Sequence, residues 1–301
     1  MNGVLIIDKP AGLTSHDVVN RVRQILGQRS VGHLGTLDPL ATGVLPLVTG
    51  SLTRLAQFYT TSQKTYEGVV RFGFATDTYD ADGEPSGTAQ SVNLQLRQVA
   101  DLAARFRGVL EQMPPPFSAK KVHGVPAYKL ARKKKEVELR SVQVEIKEFE
   151  ILGVAGDRAS FRARVSSGTY MRSVAHEMGQ QLGCGAHLET LRRTAVAEFN
   201  LSDAHSVEQL QQAAQSGRLE EMFVHPRRLL PDFPAVTADE ENAARIHTGR
   251  AVNLPELSQA RIVKVFRAQK ELIAIATRVA GTLFHPSIVF SSEVRSAARI
   301  G

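Results

Sequence analysis

The sequence predicts an α+β chain of two units: a large one in which strands and helices interleave, then a small, mostly β one. Three observations carry this. Apolar runs of strand length recur at Val4 to Ile7, Gly43 to Val48, Tyr66 to Phe74, Val142 to Phe149 and Ala159 to Val165. Between them lie stretches with helical periodicity at Ser15 to Leu26, Leu94 to Phe106, Tyr170 to Leu182 and Val207 to Gln215. Pro226, Pro231 and Pro234 then cluster as a linker does, and the character of the chain changes after them. The expected division is 1–232 for the large unit and 233–301 for the small one.

Val4 to Ile7 reads as a buried strand stopped by Lys9-Pro10-Ala11-Gly12. Ser15 is the expected N-cap of the first helix, whose apolar Val18, Val19, Val22, Ile25 and Leu26 share a face and which Gly27 ends. Val31 to Gly43 is too rich in Gly, Pro, Thr and Asp for a regular element and is expected to be loop throughout. A strand from Gly43 and a short helix through Leu55 and Phe58 follow. Thr76 to Gly87 reads as a polar turn region, and Pro114-Pro115-Pro116 breaks the chain before a basic segment. Val142 to Phe149 and Ala159 to Val165 form an expected strand pair, and Gly183-Cys184-Gly185 closes the helix from Tyr170. Past the prolines, a short helix near Glu240 to His247 precedes strand-like runs at Ile262 to Phe266 and Leu272 to Val279.

A chain of 301 residues with 43% hydrophobic content can build a large core. Its formal net charge of +7 and pI of about 9.7 suit a polyanionic partner, nucleic acid first. A single cysteine, Cys184, excludes an intrachain disulfide and a cysteine-ligated metal cluster, and fits a reducing cytoplasm. The first ten residues lack a basic leader and a cleavage site, and no apolar run has the length of a membrane span. Trp is absent, which argues against a base-stacking sheet of the RRM kind. Asp77, Asp80, Asp82 and Gly83 hint at a calcium loop, but the pattern has no closing Glu. His123, His176 and His187 lack zinc spacing, phosphate-loop motifs are missing, and Ser118-Ala119-Lys120-Lys121 lacks the partners of a Ser-x-x-Lys enzyme.

The segment Val31-Gly32-His33-Leu34-Gly35-Thr36-Leu37-Asp38-Pro39-Leu40-Ala41-Thr42-Gly43 is the most informative. Its glycines allow close backbone approach, and Pro39 pushes Asp38 out of the α region. An ordinary Asx-turn between helix and strand fits the same spacing. Arg172, in the first turn of a predicted helix, opposes the helix dipole, which suits an arginine that pairs with a carboxylate elsewhere and keeps it ionised. A solvated surface arginine fits too. The basic segment from Lys120 to Arg140, with Lys120, Lys121, Arg132 and Lys133, reads either as a solvated face or as a flap of about 114–141 that tracks RNA phosphates. The residues alone thus describe a two-domain, RNA-interacting protein with one suggestive aspartate loop.

The chain resembles the TruB family of tRNA pseudouridine-55 synthases through seven segments in family order. These are Gly3 to Thr14 (GVLIIDKPAGLT), Val31 to Gly43 (VGHLGTLDPLATG), Lys64-Thr65-Tyr66, Thr76 to Gly83 (TDTYDADG), Gln112 to Lys121 (QMPPPFSAKK), Ser167 to Arg172 (SGTYMR) and Leu191 to Thr194 (LRRT). The resemblance implies a pseudouridine synthase domain with a mixed sheet and flanking helices, and a small RNA-binding domain of the PUA kind. It implies Asp38 as catalytic aspartate, Tyr66 against the target base, and Arg172 as the aspartate's partner. It further implies Leu191 as an apolar wall, His33 as the residue displacing the flipped nucleotide, Lys9 as support, and Tyr170, Lys120, Lys121, Arg132 and Lys133 among the substrate contacts. Leu34 departs from the family's usual Thr, and Phe117 from a common Tyr. The implied substrate is the T-arm of tRNA, bound by a monomer with no guide RNA, metal or cofactor. Two rivals share these features: a tRNA-folding module, and a catalytic subunit working inside a guide-RNA particle. A two-carboxylate glycosidase would need a second acid near Asp38, and none lies in that loop.

Overall fold

The computed structural model describes residues 1–117, 121–122, 125–126 and 140–290. The strand β1 (Gly3–Lys9) is apolar from Val4 to Ile7 because both of its faces are covered there. Leu5 and Ile7 enter one core and Val4 and Ile6 enter another, as the two-residue period of a strand requires. The helix α1 (Ser15–Leu26) buries Val18, Val19 and Val22 in the first of these cores. Its N-cap is Thr14 rather than the expected Ser15. Thr14 and Asp17 form a reciprocal capping box, which frees the buried Ser15 hydroxyl for a different task described below.

The segment expected to be all loop contains a strand, β2 (Val31–His33), paired with β3 (Thr42–Thr49). Three residues suffice because β3 leaves an open edge at Leu47, Val48 and Thr49. A 3-10 turn (Gly50–Leu55) leads into α2 (Ala56–Tyr59), and β4 (Lys64–Phe72) follows. The polar turn region holds a two-residue hairpin, β5 (Ala75–Thr76) with β6 (Pro85–Ser86). Next come α3 (Leu96–Ala104), β7 (Gly108–Gln112), and the backbone pair β8 (Lys121–Val122) with β9 (Val125–Pro126). Of the rest of the basic segment only Arg140 is among the described residues; Lys120, Arg132 and Lys133 lie outside them.

The long hairpin β10 (Val142–Ala155) and β11 (Arg158–Val165) is followed by α4 (Met171–Gln181) and β12 (Ala186–Val196), then β13 (Phe199–Asn200) and α5 (Val207–Gln215). The large sheet runs β1-β3-β12-β4-β11-β10-β7, with β2 and β13 attached at its side. All its pairs are antiparallel except β12 with β3. The parallel contact sets Gly43 against Arg193 so closely that a Cβ there would lie 2.2 Å from the Arg193 carbonyl oxygen, and Gly43 has a φ of +100°.

Beyond the prolines, β14 (Ala235–Ala238), α6 (Glu240–His247), β15 (Val252–Asn253), β16 (Ile262–Arg267), β17 (Glu271–Ala280) and β18 (Leu283–Val289) build a second sheet, ordered β14-β16-β17-β18-β15. It has its own core around Val263, Ala274 and Phe284. Its Phe266, Leu272, Ile275 and Ile288 also join Val4, Ile6, Val44 and Val48 in the second core of the large unit. The buried Lys264 adds a polar tie, its ammonium donating to the carbonyls of Leu229 at 2.6 Å and Arg227 at 3.2 Å. The small sheet is therefore held against the back of β1 and β3, leaving the other face of those strands to α1 and the site.

Candidate active site

Asp38 lies on the connection between β2 and β3, and that connection is bound to the body through its backbone. The Ser15 hydroxyl accepts from Leu37 N at 2.8 Å and donates to Leu37 O at 3.1 Å. Arg193, fully buried on β12, donates to the carbonyls of Val44, Thr36 and Gly35 at 2.8, 3.1 and 3.1 Å. Lys9, also fully buried, donates to the carbonyls of Leu13, Pro10 and Pro39 at 2.6, 2.8 and 3.2 Å. Loops with this many buried carbonyls need donors, and here two cations supply them on both sides of Asp38.

Arg172 is the second residue of α4 and is almost completely buried. Its Nε lies 2.9 Å from Asp38 Oδ2, though the N–H is not aimed along that line, so the contact is an ion pair rather than a linear hydrogen bond. Its Nη1 lies 3.3 Å from Asp80 Oδ2 and donates to Thr78 O at 3.1 Å, and its Nη2 donates to Phe117 O at 3.0 Å. One guanidinium fork thus serves two carboxylates and two carbonyls, a task the fixed planar donors of arginine suit. Asp80 is the second acid that the loop sequence does not contain. Its Oδ1 accepts from the Thr78 hydroxyl at 2.6 Å and from Asp82 N at 3.1 Å. The start of α4 is fixed in turn by Gln112, whose amide donates to Tyr170 O and accepts from Tyr170 N, and by Ser173, whose hydroxyl donates to Met113 O.

Tyr66, on β4, is buried beside the same core as Leu191, and its hydroxyl has no hydrogen-bond partner among the described residues. Leu191 forms one wall of a cleft of about 660 Å³ that also takes in Gly12, Leu40, Glu67, Phe161 and Arg192. That volume falls in the range of small-molecule sites. Asp38 is not among its walls; the cleft begins beside the loop, at Leu40 and Gly12. Arg192 is turned toward Asp8, with contacts of 2.7 and 3.1 Å, and toward the Thr42 hydroxyl at 3.3 Å. His33 Nδ1 accepts from Gly35 N at 3.3 Å, and burial together with Arg193 holds its imidazole below the usual histidine range. The ring is therefore a neutral, partly apolar body at neutral pH.

Sequence reasoning did not single out Ser15, Asp80 or Arg193 for these roles. Asp80 was visible as part of a failed calcium pattern and as one letter of the TDTYDADG segment, and Arg193 as one letter of the LRRT segment. Their signal is a buried charge, which sequence does not display. No group of three or more His, Cys, Asp or Glu side chains is placed to hold a metal among the described residues, and no helix there is long and apolar enough to cross a membrane.

Burial pushes the Lys9 ammonium down to about 8, with Asp38 opposing and Arg193 assisting; burial and Arg193 hold Lys64 at about 8 as well. The unfolded chain therefore holds the Lys9 proton more tightly than the folded chain. Folding is penalised in full below about pH 8, and the penalty fades between pH 8 and 10.5. Relative to Lys9→Met, the wild-type urea midpoint is expected to rise between pH 7.5 and 10. A constant difference across that window would show that Lys9 does not titrate there.

Comparison with known proteins places this chain among the pseudouridylate synthases, on its fold and, more specifically, on its sequence. The same fold is found in a chain of an H/ACA RNP bound to a substrate RNA containing 2′-deoxyuridine, with TM-score 0.71, 23% identity and coverage of 96% of this chain and 85% of that one. A Cbf5-Nop10-Gar1 complex gives TM-score 0.68 at 24% identity over 93% and 79%. Residues 23–171 match the model of the TruB family pseudouridylate synthase N-terminal domain, and residues 172–231 that of the tRNA pseudouridylate synthase B C-terminal domain. The chain is 51% identical over 292 residues to tRNA pseudouridine synthase B of Solibacter usitatus, covering 96% of this chain and 100% of that protein. It is 43% identical over 249 residues to tRNA pseudouridine synthase B of Geobacter sulfurreducens, covering 83% and 82%. The chain belongs to the TruB family.

Proposed function

We propose that this tRNA pseudouridine synthase isomerises uridine-55 in the T-loop, with Asp38 as the carboxylate that acts on the flipped nucleoside. The observation that carries this reading is the Asp38–Arg172 pair beside the cleft walled by Leu191. The N1–C1′ bond breaks, the uracil turns, C5–C1′ forms, the proton on C5 leaves to water, and the freed N1 takes up a proton from water. Uridine must first leave the stack, and the neutral ring of His33 on the adjoining strand is the group that displaces it. Tyr66 and Leu191 hold the base and exclude water, and Tyr66 assists loss of the C5 proton. Lys9 and Arg193 hold the loop. Isomerisation needs no redox or group carrier, and the enzyme acts alone in the cytoplasm, as a monomer without guide RNA. Tyr170 and the basic segment with Lys120, Lys121, Arg132 and Lys133 contact the T-arm, and the small sheet adds a PUA-like RNA contact behind the site.

The test is release of tritium from uridine C5 of unmodified tRNA by the purified chain in EDTA, with the modified position mapped. Release confined to the T-loop uridine supports the reading. Bound tRNA without release would favour a folding module or a guided subunit. Neutralising Lys133, Lys134 and Lys135 together is expected to lower the salt slope of tRNA binding by roughly 2–3. An unchanged slope would make them a solvated face.

A further inference from the structure

Tyr79 stands between the two loop residues that hold Arg172. Thr78 offers its carbonyl to Nη1 and Asp80 its carboxylate. Tyr79 itself has a φ of +66°, a left-handed conformation unfavourable to a residue with a Cβ and usually given to glycine. Something must hold it there. Its ring is stacked on His176, with centroids 3.7 Å apart and planes 11° from parallel. His176 is four residues after Arg172 on α4, so both side chains leave the same face of that helix. Thr78, Tyr79 and Asp80 are thus gripped in succession by Arg172, His176 and Arg172 again. On the far side, Leu188 N donates to Tyr79 O at 3.0 Å and Ala81 N to Leu188 O at 3.0 Å, tying the same turn to β12. Neither ring belongs to the segment that carries Asp38, and the mechanism above uses neither.

We propose that the Tyr79–His176 stack is a positioning pair that fixes Asp80 and thereby aims Arg172 at Asp38. The stack sets the turn, the turn sets the second carboxylate, and the second carboxylate divides the fork of one guanidinium. A displacement of the turn re-aims Arg172, and misplacement on the scale of an ångström slows chemistry without loosening substrate. This inference rests on the functional reading above for its kinetic part only; the clamp itself can be read without turnover.

The experiment uses the full chain and three variants: Tyr79→Gly, which removes the ring and also relieves the left-handed backbone, Tyr79→Phe, which keeps the stack, and His176→Ala. Tyr79→Gly and His176→Ala are each expected to speed hydrogen exchange at the amides of Ala81 and Leu188. Both are expected to slow single-turnover tritium release by about tenfold to a hundredfold while tRNA Kd stays within about twofold. Tyr79→Phe is expected to restore exchange and rate together. Unchanged exchange in Tyr79→Gly overturns the clamp whatever the rate does. A weaker Kd with an unchanged single-turnover rate overturns the positioning role and makes the ring an RNA contact. A wild-type chain inactive on tRNA sinks the functional reading, while the exchange comparison still decides the clamp.

Discussion

Asp38→Asn is expected to stop pseudouridine formation, with single-turnover release falling by roughly 10⁴-fold or more, the scale seen when a catalytic nucleophile is removed. The amide has nearly the size of the carboxylate, and the loop around it is held by Ser15, Lys9 and Arg193 through backbone atoms that the substitution leaves alone. tRNA binding should therefore survive, measured by filter binding at fixed salt. The Asp38 side chain is 39% exposed, so its loss should cost the fold little. Substantial single-turnover activity in this variant would remove Asp38 from the chemistry.

Arg172→Met should have the second largest effect, and a double one. Methionine fills a similar volume but leaves Asp38 and Asp80 with no cation between them, and the carbonyls of Thr78 and Phe117 without their donor. Both Arg172 and Asp80 are under 8% exposed, so the orphaned Asp80 carboxylate has no route to water. Breaking one partner of a buried pair costs about 3–5 kcal/mol, read here as a lower urea midpoint. Loss of preorganised charge beside the reacting group should lower the rate by about 10²–10³-fold at temperatures where the variant is folded. Arg172→Lys separates the two effects. A single ammonium satisfies one carboxylate at a time, so stability should recover in part while the rate does not. A folded Arg172→Met with wild-type turnover would reduce the arginine to a structural tie.

Most elements of the large unit were legible in the sequence where one local rule dominated. The apolar run of β1, the face of α1 and the span of α5 all followed from periodicity and caps. The central strand β12 was not, although it neighbours both β3 and β4. Bulges between Leu188 and Thr190 and between Arg193 and Ala195 break its alternation, and it buries an arginine where a strand pattern calls for an apolar residue. In the small unit, β14, β15 and β18 also escaped notice, the first two being short and the last interrupted by Pro286.

The sequence by itself determined which residues carry chemistry-bearing groups and which loop could hold one: Asp38 before a proline, among glycines, and an arginine set against the dipole of its own helix. Only the tertiary structure decided what those groups meet. Asp80 comes to Arg172 from a turn that local pattern assigned to no function, and Arg193 reaches the loop carbonyls from a strand that periodicity does not reveal. Both depend on pairings between segments distant in the chain. A helix or a cap is stabilised by neighbours a few residues away and is written in local sequence. A buried charge is stabilised only by the partner that folding brings to it, and no local pattern names that partner.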